Sequence, residues 1–116
     1  MLNVKKVLSK LIYKKETQLT GSYIQDNWKI SRVGRTVYLQ VHFFSSIPAG
    51  SFSLGAIVPE EFRPKATKDF TLFRRSSTFM PMAFSVNDAG VINCYNYASA
   101  QSSGNQFTQL LSWTID

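Results

Sequence analysis

Apolar and polar positions alternate with two different periods along this chain, and the change comes at Glu16. Ahead of it, Met1, Val4, Leu8 and Leu11 stand three and four apart, the a/d pattern of a coiled coil. Val7 and Ile12 widen the stripe, and the spacing predicts a short amphipathic helix over residues 1–15. Lys6, Lys10 and Lys14 share another face at i, i+4, where like charges mildly oppose an isolated helix. So short a pattern does not hold a helix alone in water. The segment is therefore expected to dock on a partner or to bundle with copies of itself through Val4, Leu8 and Leu11. The alternatives are disorder, an anionic membrane surface or nucleic acid.

From Glu16 onward the period is two, that of a β-strand. Trp28, Ile30 and Arg32 alternate with Lys29, Ser31 and Val33, and Gly34-Arg35 turns the chain. In the clearest strand, Val37, Leu39, Val41 and Phe43 occupy one face, and Tyr38, Gln40, His42 and Phe44 the other. The Ile47-Pro48-Ala49-Gly50 turn leads into a short strand around 52–57, and Pro59 and Pro64 make 58–66 a corner rather than a ladder. Further strands are expected near 69–75 and 79–86, with Pro81 delaying the start of the second or confining it to an edge. Asn87-Asp88-Ala89-Gly90 reads as a turn. Beyond it, Ile92 and Cys94 alternate with Asn93, Tyr95 and Tyr97. A small polar loop over 98–105 precedes a last strand carrying Phe107, Gln109, Leu111, Trp113 and Ile115 on one face. About seven or eight short strands so spaced predict an all-β fold, an antiparallel β-sandwich or jelly roll over 16–116, preceded by the short N-terminal α-helix.

Composition narrows the function more than the fold. The 116 residues fit one domain, and nine Phe, five Tyr and two Trp suit a pleated, half-buried surface. Cys94 is the single cysteine, which excludes an intrachain disulfide framework and reads as a small core residue. The formal net charge of +6 would suggest nucleic acid if it were spread over the folded body. Instead Lys5, Lys6, Lys10, Lys14 and Lys15 precede the first acid, Glu16, and from there eight basic residues face seven acidic ones. The body is nearly neutral, which counts against nucleic acid as a partner. Lysines interrupt every apolar run that might serve as a secretory h-region. No window approaches the roughly 20 apolar residues of a transmembrane helix, so a membrane is not an expected partner either.

Catalytic chemistry finds few residues. His42, the only histidine, lies mid-strand with no nucleophile motif beside it. Glu60-Glu61, the only acidic pair, reads as a solvated corner rather than the opposed carboxylates of a hydrolase. No ligand-spaced cluster of His, Cys or carboxylates and no Gly-rich phosphate loop is present. The expectation is a non-enzymatic protein without cofactor or metal. Phe73-Arg74-Arg75 and Trp28-Lys29 interleave aromatic and basic residues as single-strand binders do, but both are brief and read as solvated strand ends.

What remains is aromatic and amide chemistry on the surface. Asn93, Tyr95 and Tyr97 share a face opposite Ile92 and Cys94, with Asn96 between the tyrosines. Tyr38, Gln40, His42 and Phe44 form a second such face. Either can stack on sugars and hydrogen-bond them, or form a subunit interface. The 38–44 face is assigned to an oligomer interface. Because loops suit ligand contact, the carbohydrate candidates are Asn93, Tyr95, Asn96 and Tyr97 together with Gln101 and Asn105 of the 98–105 loop.

The order of motifs also carries a family resemblance. Trp28, Gly34, Val37-Tyr38-Leu39 and Ile47-Pro48-Ala49-Gly50 lead to Leu54-Gly55-Ala56-Ile57-Val58-Pro59 and Phe62-Arg63-Pro64, and Val86 to Ile92 follow as a Gly hairpin. This succession resembles the C-terminal, receptor-binding head domains of tailed-bacteriophage tail fibre and baseplate proteins. The likeness spans most of residues 4–95 and is most specific from Leu54 to Pro64. Val4 to Leu11 also looks like the segment preceding such heads.

The resemblance implies a jelly-roll-like homotrimer, with the N-terminal helix in a central bundle, carried on a virion at the tail tip or baseplate and made in the host cytoplasm. Its implied partners are a host-cell surface saccharide and other tail or baseplate proteins. Binding residues differ between family members, so the resemblance carries over no site. One departure is that no long fibre shaft precedes the head, which leaves a fragment, a short adaptor, or a head whose stalk lies on another protein. The rival readings are a structural adaptor that docks other tail proteins and a single-stranded nucleic-acid-binding domain using the basic arm.

Overall fold

The computed structural model describes residues 14–74, 81–101 and 105–115. These residues form nine strands in two antiparallel sheets, one of them curled into a half-barrel. The predicted helix falls largely outside the described residues, as do its stripe positions Val4, Leu8 and Leu11. Its expected end at residue 15 is corrected, because Lys14 and Lys15 already belong to the first strand, β1 (Lys14–Leu19).

The larger sheet contains β1, β2 (Ile24–Gln25), β3 (Trp28–Val33), β4 (Thr36–Phe44) and β9 (Asn105–Thr114). Strand β4 is its spine: β3 and then β2 pair along one edge, and β9 along the other. Strand β1 pairs outside β3. The smaller sheet runs β5 (Gly50–Ile57), β8 (Val91–Asn96), β7 (Pro81–Val86), β6 (Lys68–Phe73). Pro81 therefore opens a strand that lies inside its sheet, where its missing N–H is tolerated at the first position.

Two of the nine strands carry no signal in the sequence. β1 reads Lys-Lys-Glu-Thr-Gln-Leu, and of these only Leu19 is buried, so no apolar alternation marks it. β2 is two residues long, set off by positive φ at Tyr23 (66°), Asp26 (61°) and Asn27 (46°). The remaining seven match the expected strands closely.

Both sheets contribute to one buried cluster, in which Trp28, Leu39, Phe44 and Phe107 of the larger sheet join Leu72, Phe84 and Ile92 of the smaller. Trp28 meets Phe44 edge-on at 5.0 Å and lies 6.4 Å from Phe84, within the range at which aromatic pairs add to plain burial. Cys94 is buried as expected, and that burial pushes its thiol pKa up to about 12.

One face assignment is inverted at its far end. Val37, Leu39 and Val41 are buried, but the next core residue is Phe44 rather than Phe43. Pairing with β9 shifts register between Val41 and Phe43. Past such an irregularity, side chains exchange faces. Phe44 is thus a core residue, packed against Trp28 and Phe107, and is removed from the candidate interface.

The sheets are fastened together at both sides. On one, Gln109 Nε2 donates to the Thr71 carbonyl at 3.2 Å, and Phe70 lies 6.1 Å from Trp113. On the other, Tyr23 meets Phe52 edge-on at 5.3 Å. There Gly21 runs so close to β5 that an added Cβ would lie 2.6 Å from the Leu54 carbonyl oxygen.

The Phe-Arg-Pro corner folds as a 3-10 turn over Glu60–Phe62. Trp113 Nε1 donates to the Phe62 carbonyl at 2.8 Å and Arg32 Nη1 to the Glu61 carbonyl at 2.6 Å, while Lys15 pairs with the Glu61 carboxylate. The corner is thus a structural knot.

Candidate functional site

Strand alternation divides the smaller sheet into an inner face, carrying Phe84, Ile92 and Cys94, and an outer face. The outer face is built in cross-strand rows. Ser51, Tyr95, Ala83 and Thr71 are consecutive Cα partners from β5 to β6, and so are Ser53, Asn93, Ser85 and Asp69 in the next row. Most of these side chains are small, so the backbone forms the floor of a shallow trough. It has a volume of about 220 Å³.

Tyr95 rises from that floor, 43% exposed, with its ring centroid 4.7 Å from that of Tyr97, which is 67% exposed. Beyond them on the same face, Phe73 is half-exposed opposite Pro81. The face therefore has an aromatic end and a polar end, the latter holding Asn93, Ser85 and Asp69. Ser53 Oγ donates to the Ile92 carbonyl at 3.2 Å and Ser85 Oγ to the Asn93 carbonyl at 3.4 Å. Ser53 Oγ also accepts from the Gly55 N–H at 3.4 Å, and each hydroxyl retains at least one lone pair that can accept. Neither Asn93 nor Asp69 has a side-chain hydrogen bond or ion pair among the described residues. Their donors and acceptors face solvent.

Three of the six carbohydrate candidates, Asn93, Tyr95 and Tyr97, meet on this face. Asn96 does not: it points inward, 2% exposed. Its amide donates to the carbonyls of Pro48 at 3.0 Å and Ser99 at 3.2 Å and accepts from the Ala98 N–H at 2.9 Å. It has the bonding of a loop anchor and is withdrawn as a ligand contact. Gln101 also serves the loop, exchanging backbone hydrogen bonds with Ile47 and donating from Nε2 to the Ser99 carbonyl at 3.3 Å. Asn105 opens β9 opposite Phe44 instead of lying in the loop.

The missed residues are Ser51, Ser53, Asp69 and Ser85. Ser51 stands opposite Tyr95, and Ser53 and Ser85 opposite Asn93, only through strand pairing, while Asp69 reaches the row one strand further on, opposite Ser85; no local spacing reveals that. The one available signal was alternation itself, which turns Asp69 outward beside the core position Phe70.

The outer face of the larger sheet gathers Tyr38, Gln40 and His42, all half-buried. Grooves of about 320 and 300 Å³ cross it, both lined by Lys29 and Gln40, one reaching His42 and Thr108 and the other Tyr38 and Leu110. Leu110 is 59% exposed there, and Val33 is exposed beyond Tyr38. This mixed face has more apolar surface and more full charges than the trough. No three His, Cys, Asp or Glu side chains cluster as metal ligands among the described residues.

No protein-family model matches this chain, and no curated protein matches it.

Proposed function

We propose that the chain is a non-enzymatic head domain of a bacteriophage tail fibre or baseplate that recognises a host-surface carbohydrate on the outer face of β5–β8. The supporting observation is the pairing of an exposed Tyr95–Tyr97 platform with a floor of small hydroxyl side chains and the open amide of Asn93. A sugar ring has apolar C–H faces and a rim of hydroxyls. It is matched by an aromatic plane beside groups that both donate and accept. Ser and Ala are depleted in protein interfaces relative to other surface, and the trough rows hold Ser51, Ser53, Ser85 and Ala83. That composition favours a small polar ligand over a subunit there.

In this reading the fold is a jelly-roll-like head, three copies associate about an axis, and the repeated shallow sites bind through avidity. The decisive experiment is glycan-array binding by the intact chain, with light scattering for its mass. A trimer that binds saccharide, and loses binding in Tyr95→Ala or Tyr97→Ala while staying trimeric, supports the proposal. Normal binding by both variants would exclude this face. A monomer would exclude the trimeric head.

A second reading, an adaptor that docks other tail proteins, is favoured by one observation: Leu110 and Val33 lie exposed around Tyr38 on the larger sheet. It calls for no glycan binding, together with copurification of a tail component that Leu110→Glu abolishes.

A further inference from the structure

The trough carries a second kind of information, the sign of its charge. An exposed sheet face ordinarily holds Lys, Glu and Arg among its threonines, since long charged side chains are the common occupants of solvated surface. The outward positions of β5, β6, β7 and β8 instead hold small, amide and aromatic side chains, the aliphatic pair Ile57 and Val91 at the far end, and one charged residue among those described, Asp69. No Lys or Arg occupies an outward position of these strands. Asp69 enters neither of the ion pairs formed by described residues, Lys15–Glu61 and Lys29–Glu16. It stands at the end of the row that runs through Ser85 to Asn93. Two strand spacings separate it from Asn93, about 10 Å, a span that one or two sugar rings fill.

Resting on the carbohydrate reading of this face, we infer that Asp69 is a charge filter that confines the site to neutral or amino sugars and turns away acidic ones. A carboxylate accepts hydrogen bonds from adjacent sugar hydroxyls, and such charge-assisted bonds are stronger than neutral ones. An ammonium on a deacetylated amino sugar would meet its complement there. A sialic acid or uronate would bring a second carboxylate to a floor with no outward Lys or Arg among the described residues, and like charges brought together at a contact surface oppose binding. The chain's net charge of +6 acts the other way at long range. At physiological salt that field is screened beyond about 8 Å, whereas a ligand in the trough lies within reach of Asp69.

The test uses the intact chain at about 0.15 M salt and three probes sharing one backbone: an N-acetylhexosamine oligomer, its deacetylated form, and the oligomer capped with sialic acid. The expected result is binding of the first two and at least tenfold weaker binding of the third. Asp69→Asn should bring the capped oligomer within about threefold of the uncapped one and reduce the preference for the deacetylated form. Circular dichroism and the thermal midpoint establish that the variant is folded. Tyr95-dependent binding of the sialylated probe as tight as the neutral one would overturn the filter while leaving the carbohydrate reading intact. An unchanged ratio in Asp69→Asn would do the same. Binding of no saccharide by the wild-type chain would overturn both.

Discussion

The backbone N–H of Val58 donates to the carbonyl of Gly90 at 2.8 Å, joining the exit of β5 to the hairpin between β7 and β8. The same contact explains why residue 90 must lack a side chain. A Cβ there would lie 2.5 Å from the Val58 carbonyl oxygen and 2.7 Å from Arg63 Nε, which itself donates to that carbonyl at 2.7 Å. Two motifs more than thirty residues apart are thereby locked into one corner.

Gly90→Ala should consequently destabilise the protein by about 2–4 kcal/mol, because a left-handed backbone (φ 82°) and a clash with backbone coincide. Gly34 is the control. It is also left-handed (φ 60°), but nothing lies within 4 Å of an added Cβ, so Gly34→Ala should cost only about 1–2 kcal/mol. Urea unfolding with an unchanged slope measures both. Equal losses would mean that the close approach at Gly90 contributes nothing.

Asn96 and Tyr95 are neighbours in sequence that should fail in opposite ways. Asn96→Ala leaves the Pro48 carbonyl and the Ala98 N–H without their side-chain partner and the Ser99 carbonyl with only Gln101 Nε2. A loss of about 2–4 kcal/mol is expected, given roughly 1–3 kcal/mol for each buried group left unsatisfied and partial access of water to the loop. Tyr95→Ala removes an exposed ring and should shift stability by less than about 1 kcal/mol, while abolishing saccharide binding. Thermal melts beside glycan binding separate the two. A stable Asn96→Ala protein with impaired binding would return Asn96 to the site.

That contrast shows how far sequence reading reaches. Strands β3 to β9 were legible because each buries one face and exposes the other, so alternation records both the strand and its orientation. β1 was not, since an edge strand with a single buried residue follows no apolar pattern. The exchange of Phe43 and Phe44 was hidden for another reason: a register shift is a relation between two strands, and Gln106 to Gln109 had to be set against Val41 to see it. Asn96 was misread because a polar residue at a core position of an alternating strand looks the same whether it serves a ligand or a neighbouring loop. Tyr95 and Asn93 were placed on the outer face by alternation alone, but Ser85 and Ser53 join them only through pairing with Asn93, and Asp69 only through Ser85 in turn.

Acid should loosen the corner at β1. The Lys15 ammonium donates to the Glu61 carboxylate and holds its pKa below the ordinary value, with a backbone hydrogen bond adding to the effect. A carboxyl depressed in the folded state contributes stability above its unfolded pKa of about 4.3 and loses it as pH falls through the lower folded value. Thermal midpoints recorded from pH 6 to pH 3 should therefore fall less steeply in Glu61→Gln than in wild type. The difference should be small, since the pair is partly solvated. Identical acid slopes would show that the Lys15–Glu61 contact does not persist in solution.

Alkali acts on Cys94 with the opposite sign. Burial raises the thiol pKa to about 12, whereas in the unfolded chain it titrates near about 8.5. A group whose folded pKa is raised contributes stability that is complete below the unfolded value. As pH climbs between the two, the unfolded state alone sheds its proton, and the folded state loses ground until the folded thiol also ionises. Stability should thus decline from about pH 8.5 upward, and Cys94→Val, which keeps an apolar side chain in the same pocket, should flatten that decline relative to wild type. The same burial predicts that a thiol reagent labels Cys94 only as fast as the protein opens, with the rate rising steeply in urea near the unfolding midpoint. Prompt labelling of the native protein at pH 8 would mean that the sheet around β8 opens far more readily than its packing against Phe84 and Ile92 implies.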